Sequence, residues 1–552
     1  MKKTTLYIIL FFAFTNIKAQ KRSSISEYVS SPYEFKGISR FNRLIFENIV
    51  QINKDYYAIA ITRSYDVNSY VVIRTATPHN SDFVLFKLDA KMNVKSMEKL
   101  PVEVMEKDLE SIDIKKLGDN LCAFYYFNNR KHFKQYLFAQ LINPKTLKPL
   151  GKMFKIAETP ITKKQKNVSP IFNIVLSPDS KQILITNDRT IAPRKKREKK
   201  AASVQKNHKV NFWIYNQNLE LLNFVKDVDF GKGNTEFLDV AFDNKGNIGF
   251  IGFEQKDSKG KIKKSAKNTE YQLVGSSIIL KIINTSGEES VIRIAEKLSF
   301  TSARIVYNPN TNNIAIVGLL YSPGGSNGIY TEQINLETGE LINENEIKFS
   351  KELIKSVDKI ARTAKRSEPK TERKQKRQDK KDRKRDAVLN KLDYIQNLCR
   401  LGECYYNDSN ELIVVAQQYY WYSVTTTTTD AKGHRTTTTT YYYVYDDIIT
   451  FKLDNQAELD NFGIVPHHNV LVNYQVYKDY FALYNSEDLY IYSNYNIGKV
   501  TINNKASTLK EIKNKKSFSA RRSYNNIFIY DNKNVFLANI TKKKLTFGML
   551  SI

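Results

Sequence analysis

Cysteine is scarce in this chain, three in 552 residues, which excludes a disulfide-dense scaffold. Glycine (21) and proline (13) are too few for a collagen-like or low-complexity chain. Histidine is also thin: His79, His132, His208, His434, His467 and His468 are scattered. There is no His-Glu-x-x-His zinc motif and no Gly-x-x-x-x-Gly-Lys-Ser/Thr phosphate loop, and no serine-nucleophile elbow is expected. No internal stretch approaches the roughly 20 apolar residues that span a bilayer. What the chain has in quantity is aromatic residues (12%) and positive charge, 86 Lys+Arg against 57 Asp+Glu. With 41% hydrophobic residues, it can bury a full core.

The start has the pattern of a secretory signal peptide. Lys2 and Lys3 precede the apolar run Leu6–Phe14, and Ala19 offers a small residue before a cut at Gln20. Export of a chain beginning at residue 20 is the expectation. A start ending in Lys-Ala-Gln, in a chain rich in Asn, Lys, Ile and Tyr, resembles Bacteroidota exports. The final residues, Phe547–Ile552, do not resemble a secretion-sorting domain, which favours the periplasm over the exterior. In such an oxidising compartment Cys399 and Cys404, flanking four residues, are close enough in sequence for a local disulfide. Cys122 lies in the apolar run Leu121–Tyr126 and is expected to be a buried thiol.

A polar turn followed by an apolar strand recurs along the chain. The turns are Ile52-Asn53-Lys54-Asp55, Leu117-Gly118-Asp119-Asn120, Ser177-Pro178-Asp179-Ser180, Asp243–Asn247, Asn308-Pro309-Asn310, Asn407–Asn410 and Asn485–Asp488. The first five begin about 60 to 65 residues apart, the span of a four-stranded unit with inserts. Second strands are expected at Gln182–Thr186 and Ile248–Gly252. Third strands are expected at Phe83–Leu88, Asn211–Tyr215, Ile278–Ile283 and Ile448–Lys452, all rich in β-branched and aromatic residues. Turns at Asn284–Gly287 and Asn335–Gly339 close third strands onto fourth strands. The expected fold is therefore all-β: a β-propeller of about seven four-stranded blades, with six or eight also allowed. The Ser177-Pro178-Asp179 and Asp243–Asn247 turns resemble those of TolB-type and WD-repeat-like propellers of exported proteins. That resemblance covers nearly the whole mature chain and implies no particular active site.

The expected organisation is a signal peptide (1–19), a first set of blades (20–350), a basic and partly helical insertion (351–398), and a second set of blades (399–552) carrying a long Thr/Tyr hairpin over 417–447. In the insertion, Leu353, Val357, Ile360 and Ala364 have helical spacing, as do Val388, Leu392 and Ile395. Two such helices could fold back on the propeller or meet a partner.

The positive charge is concentrated. Residues 1–19 hold three lysines and no acid, so without them the net charge falls from +29 to +26. Residues 193–200 carry +5, 256–267 carry +5 and 362–385 carry +9, together +19 in 44 residues. The first two fall between second and third strands of their blades, and the last falls between blades. In an up-down propeller those connections leave on one face, giving a basic crown opposite the Asp179 and Asp243 turns. The candidate binding residues there are Arg194, Lys195, Lys196, Arg197, Lys261, Lys263, Lys264, Arg373, Lys374, Lys376 and Arg377. Such a crown attracts polyanions. Because the basic stretches contain no aromatic residue, base stacking is not expected, and nucleic acid is not the expected partner. An envelope protein or an acidic polymer, glycan or lipid phosphate, is.

The same face should carry the near-mirror segment Tyr419-Tyr420-Trp421-Tyr422…Thr425–Thr429…Thr436–Thr440-Tyr441-Tyr442-Tyr443, read as one antiparallel hairpin. Arms of about a dozen residues would reach on the order of 40 Å. Tyr420, Trp421 and Tyr442 are its candidate binding residues; it could lie on the crown or pair with a partner. Asp446-Asp447 at its base is expected to end a strand, and adjacent His467 and His468 point apart, so no metal is expected. No cofactor or catalytic residue is assigned, and the sequence does not set the oligomeric state. The leading expectation is a non-enzymatic binding or scaffolding module at the envelope. The alternative is a carbohydrate-active propeller binding sugar through the hairpin aromatics, and a third possibility is a ligand sensor with an axial pocket.

Overall fold

The computed structural model describes residues 26–29, 33–34, 42–64, 79–100, 109–129, 132–160, 172–190, 208–229, 234–255, 276–322, 325–364, 395–396, 398–429, 435–472, 480–484, 488–493, 496–502, 505–506, 510–511, 527–531, 534–541 and 544–551. Among them are eight sheets, each with a four-stranded antiparallel core, and in blades 1 to 6 that core is four consecutive strands in the order 1-2-3-4. Blades 1 to 7 run over 42–100, 109–160, 172–229, 234–294, 300–348, 398–465 and 481–511. The expected count of about seven, with eight allowed, resolves to eight because the last sheet borrows a strand. In blade 8, Ile527–Asp531, Asn534–Thr541 and Lys544–Ser551 are completed by Ser26–Val29, paired Ser26↔Ser551 to Val29↔Gly548. The innermost strands of blades 8 and 1 then lie side by side, closing a β-propeller.

The sequence pattern follows each strand's place. Second strands are covered on both faces by neighbouring blades and carry near-continuous apolar runs, as in Asn120–Asn129, where Leu121–Phe127 is unbroken and nine of the ten residues are buried. Outermost strands alternate instead, as in Leu341–Lys348 (LINENEIK). Among the described residues, seven buried clusters fall one to each junction from 8–1 through 6–7. At the seam between blades 8 and 1, Phe46 meets Phe547 edge-on at 5.4 Å and Phe536 at 6.3 Å. Cys122 is buried between blades 2 and 3, as expected.

Turns between first and second strands each carry a left-handed residue in blades 1 to 6: Asn53, Gly118, Ser180, Gly246, Asn312 and Asn410. Turns between third and fourth strands repeat a second device. Each opens on Asp or Asn (Asp89, Asn143, Asn216, Asn284, Asn335, Asp454) whose side-chain oxygen accepts backbone N–H groups further along the turn. Each then places a left-handed residue at Met92, Leu147, Leu219, Gly287, Gly339 or Ala457. Met92, Leu147 and Leu219 insert into the core between blades despite their backbone strain.

Helix α1 (Lys351–Ala364) follows blade 5. Ser350 caps it, its Oγ accepting the Leu353 N–H at 3.1 Å, with Glu352 in the first turn. Leu353, Ile354 and Val357 pack into the core between blades 5 and 6. Residues 365–394 lie outside the described set, so Val388 and Leu392 cannot be assigned. Ile395 is not helical: it stands in the two-residue strand Ile395–Gln396, pairs with Ser326 and is buried.

Candidate binding face

Two faces of the ring differ in how their connections are made. On the turn face, successive blades from 1 to 6 are tied by hydrogen bonds or ion pairs. Tyr57 Oη donates to Pro144 O (2.9 Å), and Gly118 N–H to Ser180 O (2.7 Å). Asp179 N–H donates to Asn244 Oδ1 (2.9 Å), and Gln182 Nε2 to Asn244 O (3.1 Å). Lys245 Nζ pairs with Glu337 (2.6 Å), and Asn308 Nδ2 donates to Asn410 Oδ1 (2.5 Å). Asp243, fully buried, anchors its turn by accepting Lys245, Gly246 and Asn247 N–H on Oδ1 and Asn247 Nδ2 on Oδ2, all within 2.9 Å.

The opposite face bears the long connections. Strands Gln182–Thr190 and His208–Asn216 flank residues 191–207, and strands Ile248–Gln255 and Ser276–Ile283 flank 256–275. Helix α1 ends at Ala364 before 365–394. All these ends open on the face opposite the Asp179 and Asp243 turns, because each lies across a second-to-third or blade-to-blade connection. The candidate cations from Arg194 to Arg377 lie outside the described residues, on segments bounded by these ends.

The hairpin rises from the same face as strands two and three of blade 6, Leu412–Thr429 and Arg435–Leu453, in register from Leu412↔Leu453 to Thr429↔Arg435. It leaves the blade at Tyr419. There Leu398, the first residue of the inner strand, makes its last pairing, and the Arg400 guanidinium covers the Tyr419 ring at 3.4 Å. On the outer side Asn469–Val472 pairs with Tyr442–Tyr445, so the root is three-stranded. Period-two alternation sorts the side chains into two faces. One carries Trp421 and Tyr441 (5.9 Å), Tyr443, and two threonine rungs whose hydroxyls meet, Thr425–Thr439 at 3.1 Å and Thr427–Thr437 at 3.3 Å. The other carries Tyr422 stacked on Tyr442 at 4.8 Å, with Tyr420, Val424, Val470 and Val472. Tyr422, Val424 and Val472 are 42%, 45% and 52% exposed, and Tyr422–Thr429 with Arg435–Thr439 are exposed throughout. The ribbon therefore does not lie on the described part of the crown. Of the three aromatic candidates, Trp421 stands on one face and Tyr420 and Tyr442 on the other; all are half-buried near the root. Burial raises the Tyr420 hydroxyl above its usual titration range.

Three sequence expectations change here. Asp446-Asp447 does not end a strand, since Arg435–Leu453 runs straight through it. Asp447 Oδ1 instead accepts the His467 N–H (2.9 Å), and Asp446 Oδ1 meets His468 Nδ1 (2.5 Å), pinning the bend between the outer strand and its continuation. Cys399 and Cys404 are free thiols. They lie on one extended strand, Leu398–Tyr406, so five residues hold them on the order of 15 Å apart, beyond disulfide reach. Burial pushes both thiols up to about 12, which makes them unreactive. Finally, Gly324-Gly325-Ser326-Asn327-Gly328 does carry the Gly-x-Ser-x-Gly spacing of a nucleophile elbow. Ser326 is fully buried in a strand, and its Oγ accepts the Cys399 N–H at 3.1 Å, so it cannot meet a substrate.

Buried acids occur away from the crown. In blade 5, buried Glu332 and exposed Glu344 are cross-strand partners, and the Tyr330 hydroxyl lies 2.6 Å from Glu332 Oε2 and 2.9 Å from Glu344 Oε1. A phenol donates one hydrogen, so the second contact needs a carboxyl O–H donating to the phenol oxygen. Burial raises the Glu332 carboxyl above its usual range, which fits that proton. Among the described residues no group of three or more His, Cys, Asp or Glu is arranged to hold a metal, and no helix is long and apolar enough to cross a membrane.

No family model matches the chain, and no curated protein matches it. Similar solved structures include the β-propeller domain of the Trilobed protease from Pyrococcus furiosus (8% identity, 77% of this chain and 93% of that one, TM-score 0.30). They also include the WD40 domain of SCAP from fission yeast (7%, 92% and 98%, TM-score 0.32) and an α-L-arabinanase of Penicillium chrysogenum complexed with arabinobiose (10%, 71% and 94%, TM-score 0.30). The likeness is one of fold and extends no further.

Proposed function

We propose that this chain is an exported, non-enzymatic β-propeller that serves as a binding or scaffolding module at a bacterial cell envelope, in the periplasm, and holds acidic partners on its basic face. It would be a TolB-type, WD-repeat-like propeller of a Bacteroidota cell. The observation that carries the reading is the common face of the strand ends around 191–207, 256–275 and 365–394, segments that concentrate the chain's positive charge. A cationic crown binds lipid phosphates, acidic glycans or acidic proteins through counterion release, so its affinity falls steeply with salt. The test is cosedimentation of the mature protein with phosphatidylglycerol vesicles at 50 and 200 mM salt. Ser/Gly replacement of Arg194–Lys200, Lys259–Lys264 and Lys374–Arg385 should abolish the salt-sensitive binding; binding that survives unchanged removes the crown from the reading.

One observation favours a carbohydrate-active alternative: the Tyr422–Tyr442 stack, exposed at Tyr422 and beside exposed Val424, an apolar platform of the kind sugar rings lie on. Turnover of an acidic envelope glycan by the purified protein would put that reading first.

A further inference from the structure

Among the described residues, both arms of the ribbon present an edge with no strand beside it over part of their length. Past Tyr419 no described strand flanks Tyr420–Thr429, and on the other arm the described pairing with Asn469–Val472 reaches Tyr442, with none along Arg435–Thr440. Natural proteins guard such edges with Lys, Pro, inward charges, bulges or short length. Between its root and its charged tip (Asp430, Lys432 and Arg435) this ribbon uses none of these. From Tyr419 to Thr429 and from Thr436 to Tyr445 there is no charged residue, no proline and no glycine, and the pairing is unbroken from Tyr419 to Thr429. Ten uncharged, β-branched and aromatic residues in register form a strand built to be paired.

We propose that the ribbon's partner is the ribbon of a second copy of this chain, added edge to edge and antiparallel to give a four-stranded sheet about a two-fold axis. Two features select this occupant. The first is self-complementarity. An antiparallel two-fold pairing of either arm sets threonine against threonine along the Thr425–Thr429 or Thr436–Thr440 run, and the ribbon already makes that contact internally in its Thr425–Thr439 and Thr427–Thr437 hydroxyl pairs. The second is charge. A mature chain with 26 excess positive charges repels its own copy, which favours a meeting through an uncharged element that holds the cationic segments apart. Ten residues beyond the blade give roughly 30 Å of separation at about 3.3 Å per residue. That exceeds the screening length of about 8 Å at physiological ionic strength and only matches the roughly 30 Å at 10 mM salt.

The charge argument fixes the sign of the test. Self-pairing should strengthen as salt rises from 10 to 150 mM, whereas the anion binding proposed above weakens, so either proposal can fail without the other. Sedimentation equilibrium of the mature protein between 5 and 100 μM, at 10, 150 and 500 mM NaCl, should show a monomer–dimer equilibrium whose dimer fraction grows with salt. The double variant Thr426→Lys/Thr437→Lys puts one charge on each arm and should weaken the dimer at least tenfold. Replacing Val424–Thr440 by Asn-Gly, a two-residue turn across the Ser423↔Tyr441 pair, should give a monomer at every salt with an unchanged melting curve. A wild-type protein that stays monomeric at 100 μM and 500 mM salt overturns the proposal. So does a dimer that survives the trimmed ribbon, or one that dissociates as salt rises.

Discussion

The turn face and the crown face are built from the same blades, yet they are held by opposite means. On the turn face, connections are a few residues long, and from blade 1 to blade 6 each junction is bridged by a named hydrogen bond or ion pair. On the crown face, the connections are the three basic segments and a ribbon whose outer residues touch little but each other. One face thus fixes the ring's geometry, and the other is free to vary in length and charge without disturbing it, which is how loops on a rigid scaffold come to carry binding.

That contrast can be broken most severely on the turn face. Asp243→Ala removes a buried carboxylate that accepts four hydrogen bonds, and should destabilise the fold by about 3 kcal/mol, seen as a lower urea midpoint. Asn244→Ala removes the side-chain acceptor that ties blade 4 to the Asp179 N–H and should cost about 1 kcal/mol in the same assay.

A smaller effect, remote from either face, comes from blade 5. Burial holds Glu332 protonated in the folded chain above its ordinary 4.5. The stability this proton contributes is complete below about 4.5 and is lost as pH rises through the raised folded value. Glu332→Gln keeps a hydrogen-bonding group and removes the titration. Its urea midpoint should therefore decline less than that of the wild type between pH 4 and 8, with a gain near pH 8 of a few tenths to about 1 kcal/mol. The smallest expected effect is on the crown: trimming Val424–Thr440 to Asn-Gly should change stability by less than about 0.5 kcal/mol. A large loss there would mean the ribbon supports the ring after all.

Much of this fold is legible in the residues. The Asn, Gly and Ser signals of the first turns correspond to left-handed positions, and the β-branched and aromatic runs from Phe83 to Lys452 lie in the third strands where expected. Other features carry no local sign. The Asp/Asn-led turns of the third-to-fourth connections hide because their left-handed residue is often Met, Leu or Ala, chosen for its place in the core and not for turn propensity. Blade 8 shows no complete repeat along the sequence, because its outer strand comes from Ser26–Val29, far from the other three. The Asp447–His467 and Asp446–His468 contacts join positions 20 and 22 residues apart, so the sequence shows two unremarkable pairs and the fold makes one clasp. For the binding face, the sequence supplies the ribbon and the direction of the connections. It does not show that the aromatic candidates divide between two faces, since that depends on the Trp421↔Tyr443 and Tyr422↔Tyr442 register.

The strand that closes blade 8 also bears on how the molecule forms. Ser26–Val29 and Gly548–Ser551 are the most distant segments of the described chain to pair, so every other described blade lies in the loop that their pairing closes. Contacts of such sequence separation are slow to form, because the loop they close must first surrender its freedom. The ring is therefore an open arc for most of its folding time. Made amino end first, the chain has Ser26–Val29 before any other described strand of the ring and its partner Lys544–Ser551 after all of them.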